Sequence, residues 1–174
     1  MSKSSDAELV RQFTKESGTY VPNQPQVMSK DEVFFLIKMM LDEIMELGAT
    51  VSEPHETKLN MIKMITDSKN ISQITGVSKE ELIGEQADAL VDSYYYSLNA
   101  AAKKGVNLSK IFEIVHEANM AKRDPVTGKF IKREDGKIIK PVGWKEPDIT
   151  KEITRQFNEG SFEKKSDSDV SWHV

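Results

Sequence analysis

The sequence predicts an all-α protein, a helical bundle with one small β-hairpin near residues 129–140. Three observations carry that prediction. Two long stretches, 30–49 and 79–104, repeat apolar residues at helical spacing. Helix-start and helix-stop residues bracket both of them. Strand-like character is confined to KFIKREDGKIIK, where Asp135-Gly136 is the two-residue turn that hairpins favour.

The elements follow in order. AELVRQFTKESG (7–18) reads as a short helix with Leu9, Val10 and Phe13 on one side and Gly18 as its stop. Pro22 and Pro25 mark an extended connector. Ser29 is a good N-cap, with Asp31 and Glu32 placed to suit the helix dipole. Val33, Phe34, Ile37, Leu41, Ile44 and Leu47 or Ala49 then line the inward face of the first long helix. Residues 56–66 read as a helix with Leu59, Ile62 and Ile65 inward, and DSKNISQITG reads as a loop, or a loop plus a short turn. Ser78 with Glu81 three residues on is a capping box. It opens a helix over 79–104 that stops at Gly105, with Leu82, Leu90, Val91, Tyr94, Tyr95 and Leu98 inward. A helix over 108–122 follows, capped by Asn107 or Ser109, with Ile111, Phe112, Val115 and Ala118 inward. Strands at 129–133 and 137–140 flank the turn, and 148–158 makes a last helix.

Composition bounds the rest. The 174 residues are 38% hydrophobic and 30% charged, an ordinary globular mixture. The expected organisation is one domain over 1–159 and a disordered tail over 160–174, with residues 1–6 loose. The absence of cysteine excludes disulfides and thiolate–metal sites. A net charge of −4 argues against a nucleic-acid partner. No apolar run matches a membrane span and the N-terminus lacks a signal-peptide core, so a cytoplasmic protein is expected.

The chemistry-bearing residues are carboxylates. Asp42, Glu43 and Glu46 come late in the first long helix, and Glu85, Asp88 and Asp92 form a stripe on the second. Like charges a turn apart oppose helix formation by roughly 0.2–0.5 kcal/mol per pair. If the two helices pack antiparallel, the clusters meet, and cations are needed between them. Hard divalent ions such as Mg²⁺ prefer such oxygen ligands and share the remainder with substrate phosphates. The plain alternative is a solvated helix face. For the second cluster this is weaker, because Ala87, Ala89, Leu90 and Val91 surround the acids.

DEIME (42–46) and EQAD (85–88), read with NMAK (119–122) and DGKIIK (135–140), resemble the all-α NTP pyrophosphohydrolase superfamily. Within it the chain is most similar to the MazG-like and phosphoribosyl-ATP pyrophosphohydrolase-like branch, over residues 8–150. The resemblance implies that Glu43, Glu46, Glu85 and Asp88 are Mg²⁺ ligands, with Mn²⁺ able to take its place. Asp92 would complete a second metal site or fix a basic residue. Asp42, standing where the family often has glutamate, is with Glu46 a candidate catalytic group for activating water. Asn119, Lys122, Lys137 and Lys140 are implied to bind substrate phosphate or ribose. Their ordinary readings are a helix terminus and an edge strand guarded by lysines. The 38 residues between Glu46 and Glu85 exceed the family's usual spacer, so 51–77 reads as an insertion or remodelled helix.

The implied reaction is Mg²⁺-dependent hydrolysis of a nucleoside triphosphate to monophosphate and pyrophosphate, as nucleotide-pool house-cleaning. The implied assembly is a homodimer or homotetramer. Two alternatives stand: a phosphoribosyl-ATP pyrophosphohydrolase of histidine biosynthesis, and a non-catalytic oligomerising helical module. Tyr94, Tyr95 and Tyr96 point in different directions on a helix and suit a core or a subunit interface better than base stacking. His55, His116 and His173 have no partner at zinc-ligand spacing. Met39, Met40 and Met45 read as adaptable core. Trp144 covers the site or packs a neighbour.

Overall fold

The structure, a computed structural model, describes residues 4–68, 70–134 and 136–162, and six helices make up the regular structure of these residues. They are α1 (Asp6–Glu16), α2 (Lys30–Ala49), α3 (Pro54–Asp67), α4 (Lys79–Ala102), α5 (Leu108–Met120) and α6 (Ile149–Glu159). The all-α expectation holds, and each predicted helix is present within a few residues of its expected bounds. The N-terminal signals act as read. Ser29 accepts from the Glu32 N–H at 3.3 Å while Glu32 accepts from the Ser29 N–H at 2.7 Å. Ser78 and Glu81 form the same reciprocal box. Asn107, rather than Ser109, caps α5. Gly105 (φ 70°) ends α4 in the left-handed conformation that glycine adopts at no steric cost.

Contacts gather into two compact units, residues 24–91 and residues 1–23 with 92–174. In the 24–91 unit, α2 packs against α3. They cross where Gly48 meets Thr57, which is buried and shares a hydrogen bond of 2.6 Å with Ser52. The Gln86 side chain fastens the segment ahead of α2, accepting from the Met28 N–H at 2.9 Å and donating to the Met28 carbonyl at 3.1 Å.

In the other unit, α5 packs against α1 on one side and α6 on the other. The buried Gln156 joins α6 to the α5 cap, accepting from the Asn107 N–H at 2.8 Å and donating to the Asn107 carbonyl at 3.2 Å. Tyr94 donates to Asp6 at 2.7 Å. Phe13 and Phe130 meet edge to face with centroids 5.3 Å apart.

Two expectations are corrected. The strands at 129–133 and 137–140 are single antiparallel bridges, Arg123 with Phe130 and Lys132 with Ile138. The chain does reverse there, with Arg133 N–H donating to the Lys137 carbonyl and Ile139 N–H to the Ile131 carbonyl. A lone two-stranded ribbon has too little to pack against to extend further. The turn predicted at Asp135-Gly136 falls partly on Asp135, outside the described residues, as does most of the predicted tail.

The second correction concerns the core. Among the described residues no hydrophobic side chain is buried. Phe34, Phe35, Leu47 and Ile65, three of them expected inward, are each at least 60% exposed. Ile37, Ile44, Leu59, Ile62, Leu90, Val91, Tyr94 and Tyr95 are exposed as well. The inward residues of α5 are half-buried. A helix buries its apolar stripe only against another element, and α2 and α3 have only each other. Among the described residues no helix is long and apolar enough to cross a membrane.

Candidate active site

The carboxylates stand on the elements predicted for them. Asp42, Glu43 and Glu46 lie on the second half of α2, and Glu85 and Asp88 on the early part of α4. Asp92 follows Asp88 by one turn of α4. All six are exposed. Asp42 accepts from Lys38 at 3.1 Å across one helical turn. Within one chain α2 and α4 make no packing contact, and the two clusters are not joined. Among the described residues no group of three or more His, Asp or Glu side chains is assembled to hold a metal ion.

The donor chemistry still suits a hard cation. Glu43 with Glu46, and Glu85 with Asp88, are oxygen-only pairs at i, i+3, a separation at which side chains share a helix face. These acids have no hydrogen-bond or ion-pair partner among the described residues, so no described side chain competes for their lone pairs.

The residues implied to bind substrate do converge. Asn119, Lys122, Lys137 and Lys140 line one cavity of about 640 Å³. They come in two pairs, Asn119 and Lys122 from the end of α5 and Lys137 and Lys140 from the chain reversal after it. Lys132 and Arg133 add two more cations, Ser17 and Thr19 add hydroxyls, and Phe13, Ile138 and Ile139 form an apolar side. A space lined by five cations, polar donors and an apolar wall suits an anionic ligand with an apolar or aromatic part.

The electrostatics agree with the geometry. Burial, with repulsion from Lys140 and Lys137, holds the Lys122 ammonium below its ordinary pKa of 10.5. Lys122 donates to Asn119 Oδ1 at 2.7 Å, which orients both side chains at the cavity wall. Lys132 donates to Thr19 at 3.2 Å, and Lys140 lies 3.4 Å from Glu146.

Four lining residues escaped the sequence reading. Lys132 and Arg133 are as basic as the neighbouring Lys137 and Lys140, and the lysine-rich stretch around the turn was the available signal. Ser17 and Thr19 flank Gly18, read only as a helix stop. Nothing local distinguishes them, because long-range packing brings the end of α1 to the cavity.

The sequence from residue 10 to 119 matches the model of the family described as phosphoribosyl-ATP pyrophosphohydrolase. Among solved structures, the chain is similar to a candidate NTP pyrophosphohydrolase from Exiguobacterium sp. 255-15. The two are 28% identical with a TM-score of 0.76, over 91% of this chain and 99% of that one. No curated protein matches the sequence.

Proposed function

We propose that this chain, a member of the phosphoribosyl-ATP pyrophosphohydrolase family and a pyrophosphohydrolase, hydrolyses nucleoside triphosphates to monophosphate and pyrophosphate, with Mg²⁺, in nucleotide-pool house-cleaning. The observation that carries this reading is the cavity in which Asn119, Lys122, Lys132, Arg133, Lys137 and Lys140 meet. Its charge suits a polyphosphate, and Phe13 with the two isoleucines suits a nucleoside.

Glu43, Glu46, Glu85, Asp88 and Asp92 would hold the divalent ions, Mg²⁺ or Mn²⁺ in its place. Such an ion, when bound, neutralises phosphate oxygens and acidifies water. Glu46 or Asp42 takes the proton as the water oxygen adds to phosphorus. The bond from that phosphorus to the bridging oxygen breaks, and pyrophosphate leaves. Lysines hold the charge of the phosphates as point cations.

The active species in this reading is an oligomer. A second copy covers the exposed apolar faces of α2 and α3, and carboxylates of α2 and α4 from different copies share the ions. This accounts for both the absence of a buried apolar core among the described residues and the separation of the two acid clusters. The non-catalytic module gives way to the family assignment.

One other substrate is favoured by an observation. The matched family is described by phosphoribosyl-ATP itself, which would undergo the same bond cleavage. A panel of canonical and modified nucleoside triphosphates with phosphoribosyl-ATP, incubated with Mg²⁺ and scored for pyrophosphate, separates the readings. Pyrophosphate from the triphosphates supports house-cleaning. Release from phosphoribosyl-ATP alone assigns the enzyme to histidine biosynthesis. Orthophosphate as the sole product contradicts both.

A further inference from the structure

The segment PVGWKEP (141–147) directly follows the cavity residue Lys140, and its geometry is specific. The Trp144 N–H donates to the Pro141 carbonyl at 3.0 Å, closing a turn with Gly143 at φ 82°. That φ is the left-handed value required at the third position of a type II turn. The half-buried Trp144 ring is fixed at its other end, where Nε1 donates to the Ala118 carbonyl at 2.8 Å. Both ends of the residue are therefore tied, one to its own turn and one to α5.

Two of the cavity's lysines rest on this ring. The Lys140 ammonium lies 4.3 Å from its centroid and the Lys122 ammonium 5.3 Å. Trp144 itself does not line the cavity. Bringing two ammonium groups to one wall costs repulsion, and the electron-rich indole face offsets part of it. A flexible lysine otherwise loses much rotamer freedom when it is held in one place.

We propose that Trp144 is a positioning residue: its indole face holds Lys122 and Lys140 in the orientation that binds the phosphate chain. The proposal rests on the reading of the cavity as the phosphate site and adds what sets its geometry. Ligand phosphate meets two ammonium groups already gathered, and the gain is in binding rather than in the bond-breaking step.

The test uses the full chain and pyrophosphate as the probe, by calorimetry without divalent metal, alongside steady-state kinetics with triphosphate. Trp144→Leu keeps apolar bulk and removes the aromatic face. Trp144→Phe keeps a face and removes the Nε1 donor. The leucine variant is expected to raise the pyrophosphate Kd and the KM about five- to tenfold, with kcat within about twofold, while the phenylalanine variant stays within about twofold in all three. Wild-type binding by the leucine variant, or an equal loss in both variants, overturns the proposal.

A measurement on the native protein does not depend on either variant folding. After reductive ¹³C-methylation, which preserves charge, the methyl signals of Lys122 and Lys140 are expected to show upfield ring-current shifts. Unshifted signals overturn the proposal. Lys122→Ala and Lys140→Ala separate it from the reading beneath it. If both bind pyrophosphate as wild type does, the cavity is not the phosphate site and both ideas fall. If both weaken binding while Trp144→Leu does not, the positioning role alone falls.

Discussion

Gly48→Ala tests how closely α2 and α3 approach each other. A methyl group on Gly48 would overlap Thr57 Cγ2 and lie 3.4 Å from Oγ1 and 3.5 Å from Cβ. Thr57 cannot easily turn away, because it is 4% exposed and its hydroxyl is held by Ser52 at 2.6 Å. Overpacking of this kind costs about 1–3 kcal/mol. Replacing a helical glycine with alanine returns about 0.5–1 kcal/mol. An overlap on a buried, tethered side chain belongs in the upper part of that range, about 2–3 kcal/mol, so the net expectation is a loss of about 1–2.5 kcal/mol, read as a lower midpoint of urea unfolding at fixed protein concentration. Thr57→Ser keeps the hydroxyl bond and deletes the overlapping methyl. In the T57S background, G48A is therefore expected to be neutral or to stabilise by up to about 1 kcal/mol. A G48A midpoint equal to wild type, or an equal loss in both backgrounds, would refute the reasoning.

Glu46→Gln and Asp88→Asn, each inactive alone, are expected to recover about a quarter of wild-type activity when dissociated and reassembled together as dimers, since half the dimers are mixed and each mixed dimer holds one intact site of two. A mixture that stays inactive would show that α2 and α4 of one chain serve the same site. Lys122 carries its charge only below its lowered pKa, so KM for an anionic substrate should rise with pH before ordinary lysines titrate. Lys140→Ala removes one cause of the lowering and should move that rise to higher pH, which a KM–pH profile checks. In α6, hydrogen bonds from Arg155 and then Gln156 hold the Glu152 carboxyl at about 2, against an ordinary 4.5. Its stabilisation is therefore present above pH 4.5 and lost as pH falls toward 2. Glu152→Gln should lower stability at neutral pH and flatten the acid limb of the unfolding profile over that interval; an unchanged limb would contradict the assignment.

The helices were legible because their signals are local. Ser29 with Glu32 and Ser78 with Glu81 form boxes within four residues, and Gly105 ends α4 by its own backbone freedom. The inward faces were legible as apolar stripes, but their burial was not. Phe34 and Leu47 show the period of a core position whether a core lies in the same chain or in another. The hairpin is shorter than expected for a related reason. Its turn residues are local, yet extended strands need more to lie against, and among the described residues the ribbon at 129–140 gains no third strand and meets α1 through Phe130 on Phe13. In the cavity, Asn119, Lys122, Lys137 and Lys140 were found through a resemblance of motifs. Lys132 and Arg133 sit beside them with the same chemistry and no motif, and Ser17 and Thr19 arrive from a segment more than 100 residues away. Sequence spacing on helices placed each acid on its stripe, but spacing within a helix carries no information on whether α2 and α4 meet, and within one chain they do not.

The most direct test of the account is pyrophosphate release as a function of Mg²⁺ concentration, for the wild type and for Glu46→Gln and Asp88→Asn. Both substitutions lie on exposed positions and preserve side-chain size, so helical content should not change. The account predicts a rate that rises with Mg²⁺, vanishes with chelator, and falls by about a hundredfold or more in either variant. A wild-type rate untouched by chelator, or a variant that keeps its full rate, would contradict it.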